Sequence, residues 1–331
     1  MARACLPAFC LGILSSISVV AQDGAAQIPA TITPRVRPSS LPNVERPELK
    51  RQGVLRADSS LVVIPTWVTT AAGASITTLN KENFRVTEDN VEQPIAYFNK
   101  DDAPLSIGLL FDTSGSMRNK MEKASESVAA FFKTANNEDE FFLVEFNDRA
   151  KLMIPFTPDS GEIYSRVAGT KPSGRTSLLD AIHIALKQMK KARHSRKAIV
   201  IVSDGGDNWS WHTARQTRGA LIESDVQLYA MGIFDSGLSN RSPVENRHGP
   251  ALLEELAGQT GGRHYPVGNL DDLPAIGAKI GADLRSEYLL GYYPADSRDG
   301  KYHHVKVNLA LPDNMPPLRA NYRRGYYASA E

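Results

Sequence analysis

The stretch Leu105-Ser106-Ile107-Gly108-Leu109-Leu110-Phe111-Asp112-Thr113-Ser114-Gly115-Ser116 decides how this chain reads. Its first seven residues form an uncharged, largely apolar run, the pattern of a strand buried on both faces in a parallel sheet. A carboxylate and hydroxyls then leave that strand together, directly ahead of a helical pattern. Open α/β sheets hold their ligands at this carboxyl edge, and hard divalent cations prefer oxygen donors. The stretch therefore points to a metal site.

Two later segments strengthen the reading. In Ser173-Gly174-Arg175-Thr176-Ser177-Leu178-Leu179-Asp180, a glycine-containing loop sets Thr176 just ahead of a new helix. Asp204 follows the strand-like run Ala198-Ile199-Val200-Ile201-Val202-Ser203 and opens Asp204-Gly205-Gly206-Asp207-Asn208. Three loops thus offer oxygen ligands at matching topological positions. Taken alone, Asp112 and Ser114 could simply cap a helix starting near Met117. Capping does not explain the other two loops. Asp207 and Asn208 sit in a turn that needs no metal.

These residues resemble the metal-ion-dependent adhesion site of the von Willebrand factor type A domain. In that family the first loop reads Asp-x-Ser-x-Ser, matched by Asp112, Ser114 and Ser116, and a Thr and an Asp from two later loops complete the site. Thr176 and Asp204 stand at those positions. The resemblance covers roughly residues 104–285. It implies an α/β, doubly wound, Rossmann-like fold with a mostly parallel central sheet. The flanks are similar to a narrower secreted bacterial group, the VWFA-related Acidobacterial domain family. That likeness rests on Phe84-Arg85-Val86-Thr87-Glu88-Asp89, Tyr288-Leu289-Leu290-Gly291-Tyr292 and Arg323-Arg324-Gly325-Tyr326.

The metal chemistry expected of such loops favours Mg²⁺, with Mn²⁺ or Ca²⁺ as alternatives. Magnesium takes six oxygens and keeps several waters, so two serines, a threonine and one or two aspartates make a sparse set of ligands. Sparse ligation leaves positive charge and an open position. An Asp or Glu carboxylate from a partner protein can complete it.

Length and composition fit an exported protein. The chain has 331 residues, enough for one large and one smaller domain, and its 42% hydrophobic content supplies a core. A net charge of +1 gives no support for nucleic-acid binding. The six basic residues between Lys187 and Lys197 read as a solvated helix end. Residues 1–21 look like a signal peptide: Arg3 gives a positive start, Leu6 to Val20 an apolar centre and Val19-Val20-Ala21 a cleavage site. The apolar run is shorter than the roughly 20 residues of a membrane span, so an uncleaved signal anchor is the only membrane contact expected. Both cysteines, Cys5 and Cys10, fall in this leader, so the mature chain has no disulfide and no thiolate metal site. The expected location is secreted, periplasmic or cell-surface.

Residues 22–56 carry five prolines among polar residues and read as a linker. Residues 57–100 look like short strands, with turns at Ala72-Gly73 and Asp89-Asn90. Helix and strand patterns alternate from Met117 to Arg285, as a parallel sheet covered on both faces requires. Residues 286–331 hold seven of the eleven tyrosines, and Val305, Val307, Leu309 and Leu311 alternate as in a half-buried strand. Each flank has only about 45 residues, close to the size at which a lone core is marginal, so the two flanks are expected to pair as one β module, with separate packing of each onto the α/β domain as the alternative. The tyrosines suit half-exposed strands, and Arg323-Arg324 suits the guarding of a sheet edge.

The function expected is metal-dependent protein binding or adhesion, without catalysis and without a small-molecule cofactor. A metal-assisted hydrolase using the same ion is the alternative, as is a scaffold within an envelope assembly. A hydrolase would need a base beside the metal. His183, inside a helix, and His212, after the third loop, are weak candidates, and no nucleophile elbow, zinc-protease motif or phosphate loop is present.

Overall fold

A computed structural model describes residues 61–100, 102–234, 245–294, 299–312 and 315–328. The expected leader at 1–21 and linker at 22–56 lie outside these residues. Among the described residues no helix is long and apolar enough to cross a membrane.

The chain begins with β1 (Val62–Thr70), β2 (Phe84–Glu88), β3 (Val91–Gln93) and β4 (Tyr97–Asn99). The last three of these are short, and the expected turn at Asp89-Asn90 separates β2 from β3. Asp89 and Asn90 take positive φ of 46° and 70°, a tight hairpin turn, and Pro94 has no N–H to lend a ladder. Next come β5 (Leu105–Asp112), α1 (Met121–Phe132), β6 (Glu140–Phe146), β7 (Ala150–Thr157), α2 (Ser160–Ala168), α3 (Leu178–Met189) and β8 (Arg196–Ser203). The layer ends with α4 (Ala214–Glu223), β9 (Gln227–Ile233), α5 (Glu245–Gln259), β10 (His264–Val267) and α6 (Leu273–Arg285). Then follow β11 (Tyr288–Tyr292), β12 (Tyr302–Leu309), β13 (Leu318–Tyr322) and β14 (Gly325–Tyr327).

Six strands form the central sheet in the order β10-β9-β8-β5-β6-β7, parallel throughout except for β7. All eight residues of β5 are buried, as its apolar run requires. Alternation sends Leu105, Ile107, Leu109 and Phe111 to one face, where they pack with residues of α1, α2 and α6 such as Val128, Val167 and Ile280. Leu110 serves the other face with Phe142, Val144 and the helices α3, α4 and α5. On α3 alone Leu178, Leu179, Ile182, Leu186 and Met189 are buried, each contributing roughly 1.5–3 kcal/mol. The chain leaves β5 for β6 on one side, while β8 lies on the other. The β5/β8 boundary is therefore the topological switch point, and its carboxyl edge is where an α/β sheet opens a crevice.

The flanking segments interleave. One four-stranded sheet runs β13-β1-β11-β4, in which strands from before and after the α/β layer alternate, and a second runs β14-β12-β2-β3, in which the two sets meet at the β12–β2 pair. Val62 to Thr66 pair antiparallel with Tyr292 to Tyr288, and Glu88 to Phe84 pair with Val305 to Leu309. The two sheets share a core of Ile64, Val68, Phe84, Val86, Tyr288, Leu290, Val305 and Val307, with the Phe84 and Tyr288 rings 4.9 Å apart. Tyr288, Tyr292 and Tyr326 are core residues, whereas Tyr293 and Tyr327 are exposed. Arg323 departs from expectation, because it does not guard an edge. Its guanidinium turns inward, to Asp225 and the carbonyl of Val63.

The basic run at 187–197 is also more than a solvated helix end. Arg193 bonds the buried Glu140 at 2.8 Å, and Arg196 pairs with buried Glu287 at 3.2 Å while reaching the carbonyls of Ala103 and Leu284. These contacts gather the start and finish of the α/β layer at the amino edge of the sheet. The switch-point crevice lies at the opposite edge.

Candidate metal centre

Three loops meet at the carboxyl edge. The first leaves β5 at Asp112 and is held to its neighbours by backbone bonds: Thr113 N–H to Phe146 O (2.8 Å), Ser173 N–H to Thr113 O (2.8 Å) and Gly115 N–H to Gly174 O (3.0 Å). The second loop depends on Gly174, whose φ of +79° and close approach to the Asp148 carboxylate leave no room for a side chain. Asp148 also accepts the Arg175 N–H at 2.9 Å. The third loop holds the second. Asn208 Oδ1 accepts the Thr176 N–H at 3.0 Å, and the Thr176 carbonyl accepts the N–H groups of Asn208 and Trp209, both at 3.1 Å. Asp207 takes the Leu179 N–H at 3.3 Å and Ser210 the Asp180 N–H at 3.2 Å, which caps α3 from a distant loop.

Asp112, Ser114, Thr176 and Asp204 are all buried at the meeting point, and Ser116 is exposed. Asp112 Oδ1 accepts the Ser114 N–H at 2.8 Å and Oδ2 the Ser203 hydroxyl at 2.6 Å, while the Ser114 and Ser116 hydroxyls lie 3.0 Å apart. Neither aspartate nor serine caps a long helix. Ser114 precedes only a single 3₁₀ turn, its side chain makes no capping bond, and α1 starts four residues past Met117. Burial, and then the charge of Asp204, push the Asp112 carboxyl up to about 7, against the hydrogen bonds from Ser203 and Ser114 that hold it down. Lys120 counters part of this charge. Its ammonium lies 3.1 Å from Asp204 Oδ2 and 3.4 Å from the Ile233 carbonyl, with both side chains of the pair buried.

The donor set fits a hard divalent cation. It consists of oxygen atoms alone and holds two buried carboxylates against one ammonium. That unmatched negative charge is itself costly to bury. Of the five residues, Ser116 is the exposed one.

The sequence reading missed Lys120, Ser203 and the aromatic rim. Trp211 is 92% exposed and Trp209 50% exposed, and the Arg175 guanidinium lies 3.7 Å over the Trp209 ring. Trp211 stands on a fixed loop, its N–H and that of His212 donating to Asp180 at 3.1 and 3.0 Å. His212 is committed to Asp180 through Nδ1 at 2.6 Å and stacks on His183 at 3.7 Å. His183 in turn meets the Thr217 hydroxyl at 3.2 Å.

A six-stranded sheet with this switch point and three oxygen-bearing loops defines a class, the von Willebrand factor type A fold. Residues 107–206 match the model of the von Willebrand factor type A domain, and the chain carries a domain of that family. An uncharacterized protein of Borreliella burgdorferi is 26% identical over 187 residues, which are 50% of this chain; the chain spans about half, 54%, of that protein's length. Among solved structures, BatB from Bacteroides thetaiotaomicron is similar at 18% identity and a TM-score of 0.45, over 55% of this chain and all of that one. A von Willebrand factor type A protein from Catenulispora acidiphila is similar at 14% identity and a TM-score of 0.48, over 74% of this chain and 65% of that one. Proximal thread matrix protein 1 of the mussel byssus, in a form described with a zinc-occupied MIDAS motif, is 17% identical with a TM-score of 0.46, over 60% and 50%.

Proposed function

We propose that this chain is an exported binding protein whose type A domain holds a divalent cation, Mg²⁺ first, through Asp112, Ser114, Ser116, Thr176 and Asp204. The ion would leave a position for an Asp or Glu carboxylate of a partner protein. The observation that carries this reading is the pair of buried carboxylates at the switch point, short of one positive charge even with Lys120 beside them. The rim supports a protein partner: Trp209, Trp211 and Arg175 are residue types that dominate protein interfaces, and Arg118, Lys171 and Arg175 are exposed cations suited to an acidic surface. The interleaved β flanks, which carry Phe84 to Asp89 and Tyr288 to Tyr292, support membership of the narrower secreted group.

Calorimetric titration of the chelator-stripped protein with Mg²⁺, Mn²⁺ and Ca²⁺ tests the site. Saturable binding should be lost in Asp112→Ala and Thr176→Ala. Equal binding by wild type and both variants would sink the assignment.

A further inference from the structure

A second cluster lies in the β module, remote from the loops at the sheet's carboxyl edge. His303 on β12 faces the β2–β3 turn, its Nδ1 2.8 Å from Asp89 Oδ2 and 3.6 Å from Glu88 Oε1. The other polar atom of each side chain is already held by a protein group. Asp89 Oδ1 accepts the His304 N–H at 2.9 Å, Glu88 Oε2 accepts the Tyr326 hydroxyl at 3.0 Å, and His303 Nε2 meets Asp299 Oδ1 at 3.0 Å. A ring N–H turned to Asp299 leaves the Nδ1 lone pair aimed at two carboxylate oxygens. A proton on Nδ1 fills that gap, since burial lowers the His303 pKa but the Asp299 and Asp89 contacts raise it by more; a divalent cation can fill it in the proton's place.

We infer that Glu88, Asp89 and His303 form a divalent-cation site of the zinc class, oriented by Asp299, which clasps the strands before the type A domain to those after it. One ligand atom from each residue lies within 4.8 Å of the other two. Tetrahedral zinc with bonds of about 2.1 Å needs ligand atoms about 3.4 Å apart, between the 2.8 and 3.6 Å seen here, so sub-ångström side-chain shifts suffice. An imidazole with two carboxylates suits zinc better than magnesium, which prefers oxygen throughout. The Asp299–His303 contact is the arrangement by which a carboxylate fixes the tautomer of a metal-bound histidine.

A separate observation points the same way. The Tyr292 hydroxyl is fully buried and has no partner at full hydrogen-bond geometry, although it faces Glu88 and Tyr326; burial first, and then these neighbours, hold its pKa far above the usual value. Three protein ligands leave one zinc position for water, and such a water would give this hydroxyl a partner. Glu88, His303, Tyr292 and Tyr326 are buried, while Asp89 is about half exposed and provides the way in.

Zinc and cobalt titrations of the stripped full chain test the site, using Asp112→Ala to silence the loops of the type A domain. Asp112→Ala should still bind one Zn²⁺, and Co²⁺ should give the visible spectrum of a four-coordinate ion with a nitrogen ligand. Adding His303→Gln should abolish both, and adding Asp299→Asn should weaken Zn²⁺ about 10- to 100-fold. The site is refuted if Asp112→Ala binds no Zn²⁺, which would leave a proton on His303 as the only clasp. It is equally refuted if binding survives His303→Gln undiminished. Should circular dichroism show that His303→Gln is unfolded, Asp89→Asn replaces it, and unchanged affinity there overturns the inference.

Discussion

Replacing Lys120 by methionine separates the two charges that the proposed site manages. The substitution keeps most of the length of the side chain and removes the ammonium that lies 3.1 Å from Asp204 and 3.4 Å from the Ile233 carbonyl. Asp204 and Asp112 then share a buried site with no fixed cation. Removing one partner of a buried ion pair costs roughly 3–5 kcal/mol. At roughly 2–4 °C per kcal/mol for a large domain, the metal-free variant should melt on the order of 10 °C below wild type. The metal-bound protein should behave otherwise. Above about pH 7, where Asp112 is ionised, the groups sum with Lys120 to about −1 and a divalent ion overshoots to +1; without it, −2 is neutralised by the ion. Mg²⁺ should therefore bind Lys120→Met at least about tenfold more tightly, a difference of about 1.4 kcal/mol, and recover much of the lost stability. Thermal unfolding in chelator and in saturating Mg²⁺, with calorimetric affinities, reads both effects. An equal loss of melting temperature in the two conditions, with Mg²⁺ affinity unchanged or weaker, would refute the reasoning and reduce Lys120 to a structural pair.

Three further outcomes follow from the geometry. The folded, metal-free Asp112 titrates near 7 against 3.8 for an ordinary Asp, so the folded state holds the extra proton; stability should fall as pH rises from about 4 to 7 and then level. Denaturant melts should show that fall in wild type, a much weaker one in Asp112→Asn, and its loss in saturating Mg²⁺. Gly174→Ala should cost more than about 1 kcal/mol, through its positive φ and the Asp148 contact, and should weaken metal binding because Thr176 rides on the same loop. Trp211→Ala should leave chemical stability within about 0.5 kcal/mol yet cost roughly 2 kcal/mol of affinity for a partner found by Mg²⁺-dependent binding, whereas an effect on melting alone would remove Trp211 from the binding surface.

The fold was legible where the periodicity was long and the burial two-sided. The run ending at Phe111 and the one ending at Ser203 became adjacent central strands, and that adjacency is what brings Asp112 and Asp204 together. Shorter elements escaped. Helix α2 buries only Ile163 and Val167, too few for a periodic signal, although Asp159 caps it in a readable way through the N–H groups of Gly161 and Glu162. Strand β10 has four residues and contains Pro266, which argues against a strand except at an edge, the position it takes. Helix α5 contains Pro250, a residue that argues against a helix interior, so its first turns carry no helical signal in the sequence. Lys120 was unreadable for a different reason. A lysine at the start of a helix looks solvated, and its burial depends on Asp204 and Ile233, 84 and 113 residues away. Trp209 and Trp211 were overlooked for the converse reason, since exposure of so large a ring is visible only once the loop is built.

The layout also bears on whether the two proposed metal sites act independently. β5 runs eight residues from Leu105 to Asp112, about 23 Å at strand rise, and the ties of Arg196 to Ala103, Leu284 and Glu287 lie at its far end. The β module joins the α/β layer at that far end, because β11 begins directly after Glu287. Side chains separated by such a span, with no shared partners, contribute additively to stability within a few tenths of a kcal/mol. Asp112→Ala and His303→Gln should accordingly add in the double variant, and saturating Mg²⁺ should leave the zinc affinity of the cluster around His303 unchanged. A departure from additivity well above 0.5 kcal/mol would mean that the amino-edge network transmits strain between the layer and the module. Arg196→Met would then be the variant to make, since its buried guanidinium bonds to the layer, to the end of α6 and to Glu287 at once.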